Sequence, residues 1–234
     1  MGQAPDVTDL DYPEPPWHMH GFAVMRPVVV LASEIAVPSE LEVVQRAGRA
    51  TGLLAYVEYR VPSALAYREL AFLPCMVRPR GERRPLGHFV AAMYVDSEAS
   101  VAGGRNLWGL PKRLAKFERQ KNRVRITADD GLQLELAFRV FPASRPMRSK
   151  TATLQVKAGQ IVRFRGEFES RVAPASVKIA RFTGSGDGFR GFRGVGRFPR
   201  PALAWSEFSA KMLAPDFPGA SQVTEAPLRG SMVY

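Results

Sequence analysis

Polarity along this chain switches over short stretches, and alternation with a period of two dominates, which predicts strands. Residues 21–31 form an apolar run rich in valine and predict a buried strand. Pro27 within it implies an edge position or a bulge, because proline cannot donate to a ladder. Residues 53–59 and 66–77 read as two more strands joined at Val61-Pro62-Ser63, and 89–95 as another. Residues 123–126 and 132–136 alternate on either side of Asp129-Asp130-Gly131, a hairpin signal. The pattern repeats in 154–156 and 161–168 around Ala158-Gly159, and residues 177–182 and 202–208 add further strands. Two short helices are expected. Ser39 would cap one running to about Ala47, with Leu41, Val43 and Val44 facing inward. Asp96 or Ser97 would start the other, ending at Gly103-Gly104.

About eight to ten strands thus follow one another without crossover helices, so the sheet should be mainly antiparallel, in a β-rich α+β fold. Closure into a curved barrel would remove exposed edges; the patterning alone fits a sandwich as well. Residues 1–20, acidic and Pro-rich at their start, read as an extended arm, and residues 21–234 as one domain.

Composition narrows the picture. The chain has 234 residues, 46% of them hydrophobic, enough for one domain with a substantial core. No run approaches the roughly 18 apolar residues of a membrane span. Asp6, Asp9, Asp11 and Glu14 give the N-terminus the wrong charge for a secretory signal. The expectation is a cytoplasmic protein with no membrane partner. Cys75 is the only cysteine, so no intramolecular disulfide or zinc knuckle is available. His18 and His20 would share a strand face, yet only His88 remains as a third histidine, and no metal site is expected. The net charge of +11 suits a solvated surface, steering of an anionic substrate, or nucleic acid. Residues 183–200 interleave glycines with Phe189, Arg190, Phe192, Arg193 and Arg197. Exposed, such aromatics could stack on RNA bases; packed on the barrel, they make an ordinary loop. The second reading is the plainer one, and nucleic acid is not the expected partner.

The chemistry concentrates in Gly103-Gly104-Arg105-Asn106-Leu107-Trp108-Gly109-Leu110-Pro111-Lys112-Arg113-Leu114-Ala115. A lysine beside a second cation and drawn out of water loses proton affinity, so Lys112 is expected to be a nucleophile near neutral pH. Trp108, Leu110 and Leu114 would form a dry wall, and the glycines allow close backbone approach. The segment resembles the active-site signature of the acetoacetate decarboxylase family, in which a Gly-Arg pair precedes an aromatic-rich stretch and Pro-Lys-Lys-Leu. That family's lysine is a well-known case of an amine activated by a neighbouring cation.

Further likeness lies in Met93-Tyr94-Val95-Asp96 ahead of Glu98-Ala99, in Val37-Pro38-Ser39-Glu40-Leu41-Glu42, and in Tyr67-Arg68-Glu69 followed by Pro74. It spans roughly residues 35–120. The resemblance implies a cone-shaped barrel, a homo-oligomer, a small carbonyl or keto-acid substrate, and no metal or organic cofactor. It implies that Lys112 forms an imine and that Arg113 is its charge neighbour. Glu69 would position substrate or handle protons, while Glu58, Trp108, Leu110 and Leu114 would contact substrate.

Decarboxylation of a small β-keto acid is the implied reaction. The same imine could serve an aldolase or dehydratase, and a non-catalytic ligand- or RNA-binding barrel is the alternative class. Two departures stand out. Arg113 occupies the place of the family's second lysine, and residues 17–22 lack the family's N-terminal arginine, with Arg26 a few positions late.

Overall fold

In a computed structural model, which describes residues 11–184, 187–192 and 201–218, the chain forms one sheet of 14 strands that curls into a half-barrel. Its long central strands are β1 (Trp17–Leu31), β3 (Arg49–Arg60), β13 (Gln160–Thr183) and β14 (Ala202–Met212), paired in the order β13-β14-β1-β3. β4 (Tyr67–Leu73), β7 (Ala92–Val95) and β8 (Lys112–Leu114) extend this path beyond β3. β12 (Arg145–Lys157) pairs with the first half of β13, and leads to β6 (Gly87–Phe89), β5 (Cys75–Pro79) and β2 (Leu41–Val44). β11 (Gln133–Val140) pairs with the second half of β13, and carries β10 (Arg123–Thr127) and β9 (Lys116–Gln120). Every ladder is antiparallel except β7–β8 and the single β6–β12 bridge, as expected of strands joined by short turns.

Because side chains alternate across a strand, the central sheet has two different faces. One carries Phe22, Val24, Tyr56, Leu70, Phe72 and Tyr94, and packs against Phe117, Ile126, Leu134 and Phe138 of β9–β11. The other carries Ala23, Ala55, Tyr59, Tyr67, Ala71 and Met93, and faces the helix α1 (Glu98–Trp108). Of the described residues of 183–200, Phe189 and Phe192 join the first core. Phe189 and Phe192 are 6% and 5% exposed and stack around Phe72 and Phe182, so neither is free to stack on a base. Residues 193–200, including Arg193 and Arg197, lie outside the described residues.

Several boundaries differ from the sequence expectation. The helix expected from Ser39 is instead strand β2, antiparallel to β5, because Leu41, Glu42 and Val43 alternate and β-branched valines favour the pleat. The stretch 66–77 breaks at Pro74, where β4 gives way to β5, and 89–95 breaks between β6 and β7. The first ten residues of the expected arm lie outside the described ones, and residues 17–20 already belong to β1. Pro27 sits where expected: the β14 ladder ends at Met25, leaving Pro27 paired, among the described residues, only with β3. The Ala158-Gly159 turn also holds, with φ of 49° and 74° that suit a two-residue hairpin. No helix among the described residues is long and apolar enough to cross a membrane.

Candidate active site

Lys112 opens β8, and β8 runs parallel to β7 so that Lys112 registers with Met93 on the face turned toward α1. The residue is 2% exposed. Its Nζ donates to three oxygens: Ser100 Oγ at 2.9 Å, Glu69 Oε2 at 3.0 Å and Tyr67 Oη at 3.1 Å. Tyr67 Oη in turn donates to Glu69 Oε2 at 3.3 Å, and its ring centroid lies 4.8 Å from the lysine nitrogen. An ammonium has three protons to donate and no acceptor, so this shell matches it fully. Neutral, the same nitrogen would offer a lone pair, and a carboxylate 3.0 Å away is within reach to take the proton.

Three separate elements supply this shell. Tyr67 and Glu69 are two apart on β4 and therefore share a face. Ser100 lies in the first turn of α1, whose N-cap Ser97 accepts from the Ser100 N–H at 3.2 Å. The Gly103-Gly104 pair does not end the helix. It continues to Trp108 and stops at Gly109, which adopts φ 63° and returns its N–H to Arg105 and Gly104. Gly104 instead lets the helix lie against the lysine, since a Cβ there would stand 2.5 Å from Lys112 Cδ. Arg105 Nε holds the Lys112 carbonyl at 2.8 Å, which fixes the start of the strand.

Tyr59, paired with Tyr67 across β3 and β4, packs on it at a 38° tilt with ring centroids 4.6 Å apart. Burial, reinforced by the nearby Glu69 charge, pushes both phenols well above the usual tyrosine range. They therefore act as neutral hydroxyls beside the amine. All these groups except Ser100 border a cavity of about 320 Å³, whose walls also include Trp108, Leu110, Phe208 and Trp205.

The structure brings together Lys112, Glu69, Trp108 and Leu110, and it separates the other three expected residues from them. Arg113 follows Lys112 on a strand and so turns to the opposite side, where Nη1 bonds Asp130 Oδ2 at 2.8 Å. Its guanidinium is not beside the amine. Leu114 is 46% exposed and does not line the cavity. Glu58 lies on the other face of the sheet, where it accepts from Tyr56 Oη at 2.7 Å, from Arg60 and from Arg119. Arg26 is also on that far face, donating to the Val177 carbonyl at 3.1 Å. His18 and His20 do share one side of β1, but no group of three or more His, Cys, Asp or Glu side chains suited to a metal exists among the described residues.

Sequence reading missed Tyr67, Tyr59 and Ser100. Tyr67 could have been found from its i, i+2 spacing to Glu69, and Ser100 from its i, i+4 spacing to Gly104. A family model described as "Acetoacetate decarboxylase (ADC)" matches residues 7–186. The chain belongs to the acetoacetate decarboxylase family.

Among curated relatives, the chain is 39% identical over 84 residues to "Acetoacetate decarboxylase 1" of Bradyrhizobium diazoefficiens, covering 34% of this chain and 29% of that protein. It is 34% identical over 88 residues to "Acetoacetate decarboxylase 3" of Mesorhizobium japonicum, covering 36% of this chain and 30% of that protein. The matched stretches thus span less than a third of either relative's length. Among solved structures, the fold is similar to acetoacetate decarboxylase from Legionella pneumophila, with a TM-score of 0.54 at 13% identity over 88% of each chain. A second acetoacetate decarboxylase structure gives a TM-score of 0.50 at 13% identity, covering 88% of this chain and 90% of that one. These likenesses support the family's half-barrel as the architecture of this chain.

Proposed function

We propose that the protein is a decarboxylase working through an imine at Lys112, with a β-keto acid as substrate. The observation that carries this reading is the buried amine itself. A lysine 2% exposed, bonded to a carboxylate and two hydroxyls at the edge of a cavity, is costly to keep for packing alone. Family membership supports the same chemistry.

In this reading Glu69 accepts a proton from Nζ, and the freed lone pair attacks the ketone carbon. The carbinolamine loses water and leaves a protonated imine. The bond to the β-carboxylate then breaks, carbon dioxide departs, and the bonding pair flows into the iminium to give an enamine. A proton returns to the α carbon, and water hydrolyses the imine to the ketone and free Lys112. Ser100, Tyr67 and Tyr59, as neutral hydroxyls, hold the nitrogen and the departing oxygen in place.

Incubation with ketones or β-keto acids and sodium borohydride should add one reduced adduct, seen by intact mass and mapped to Lys112. Lys112→Ala should abolish it and carbon dioxide release together. Carbon dioxide release that persists in Lys112→Ala would refute the imine. An adduct formed from β-keto acids without carbon dioxide release would instead assign the same imine to aldol cleavage or dehydration.

A further inference from the structure

The cavity beside Lys112 has a polar end and a long apolar floor. Cross-strand register lays the floor out in rows. Nearest the amine is the row containing Glu69, then Met25, Ala55, Ala71 and Met93, then Leu53 opposite Leu73. From Glu69 to Leu73 is four residues of strand, about 13 Å at roughly 3.3 Å per residue. Alanines at 55 and 71 keep the middle of the floor low.

Charge is scarce along this slot. Apart from Lys112, the cation bordering it among the described residues is Lys150, whose side chain is 82% exposed and paired with Glu167 at 2.8 Å. At the far end, His88 and Thr153 face each other across the β6–β12 bridge. Burial pushes the imidazole below its usual range, so it stays neutral. A second anionic group carried into the slot would be desolvated without a partner. An apolar chain would displace water at a gain.

We propose that the substrate is a carbonyl compound extended by an alkyl or aryl chain. Its carbonyl would sit at Lys112 and its chain would lie over Ala55, Ala71, Leu53 and Leu73; acetoacetate, which has no such chain, would leave the floor uncovered. As a β-keto acid, such a compound keeps its leaving carboxylate at the lysine end and yields a methyl ketone after loss of carbon dioxide. The assignment rests on the imine reading for the orientation of the substrate.

The test uses unbranched methyl ketones from propanone to nonan-2-one, which report on the site without needing the decarboxylation step. All three tryptophans of the chain, Trp17, Trp108 and Trp205, border the cavity, so their fluorescence follows binding directly. Borohydride trapping of the same ketones follows the imine. Affinity should rise about 4-fold per added methylene until the slot is full, the equivalent of about 0.8 kcal/mol per buried methylene. In Ala71→Phe the rise should stop at shorter ketones. An affinity that is flat or falls with chain length overturns the inference, whether or not an adduct forms. A rise with chain length but no borohydride adduct from any ketone overturns the imine reading, and with it the assignment of these compounds as substrates.

Discussion

Lys112 is positioned by what borders its stem as well as by what bonds its amine. The absent side chain at Gly104 creates the room: a Cβ there would sit 2.5 Å from Cδ and 2.7 Å from Cε of the lysine. Both atoms belong to a side chain fixed at its far end by Ser100, Glu69 and Tyr67, so the lysine cannot yield without losing those bonds. Gly104→Ala should therefore move the amine, and a displacement of about 1 Å costs up to roughly 100-fold in rate. Helix propensity pushes the other way, since alanine in a helix interior is favoured over glycine by about 1 kcal/mol. The expected result is a variant that melts close to the parent yet traps ketones at least tenfold more slowly. Trapping at the parental rate would mean that the close approach of α1 does not position the amine.

At the scale of elements, the alternation of polarity found most strands and missed their ends. β13 reads in the sequence as two strands, 161–168 and 177–182, with Pro174 in the interruption between them; its 24 residues hold together by changing partner from β12 to β11 along their length. The 39–47 stretch was ambiguous because Leu41, Val43 and Val44 fit an inward helix face as well as a pleat, and only the ladder to β5 decides. The site was legible where chemistry was local. Lys112 announced itself through its neighbours, and Glu69 through the family resemblance of Tyr67-Arg68-Glu69. Arg113 was misassigned because adjacent residues on a strand point to opposite sides, and nothing in the sequence marked Lys112 as the start of one. Leu114 shares the side of Lys112 but registers with Val95, one step past the cavity lining, and is exposed there. Ser100 reaches the amine from a helix, and its i, i+4 spacing to Gly104 was the one signal pointing to it. In the Gly-rich stretch after Thr183, Phe189 packs as the plainer reading expects: it sits within 5.3 Å of Phe72, 5.4 Å of Phe182 and 5.3 Å of Phe192 by ring centroid. Phe189→Ala should cost about 3–5 kcal/mol in urea unfolding, as for a buried aromatic. A loss below about 1 kcal/mol would mean that the segment does not seal this core.

At the scale of the molecule, the half-barrel leaves a seam where β8 and β9 adjoin in sequence but share no ladder. Two carboxylates stitch the β9–β11 layer to the central sheet across that region. Glu58 of β3 binds Arg119 of β9, and Asp130 in the β10–β11 turn binds Arg113 of β8 and Tyr94 of β7. Burial raises the proton affinity of both acids, but their bonds more than offset it. Arg60, Tyr56 and Arg119 hold Glu58 below the usual carboxylate range, and Tyr94, Arg113 and the Leu132 N–H do the same for Asp130. A carboxyl whose folded value lies below its unfolded value binds more protons when unfolded. Its stabilising contribution is therefore complete above the unfolded value, about 4.3 for glutamate and 3.9 for aspartate, and is lost as pH falls through the lower folded value. Stability to urea should thus be level with respect to these two acids above about pH 5 and should drop below about pH 4. In the double variant Glu58→Gln, Asp130→Asn, neutral-pH stability should be lower and the acid decline shallower, because neither position can titrate. The β9–β11 amides should also exchange faster than those of β1 and β3, as expected if the layer opens on its own. An acid decline equally steep in the double variant would place the pH-sensitive contacts elsewhere in the molecule.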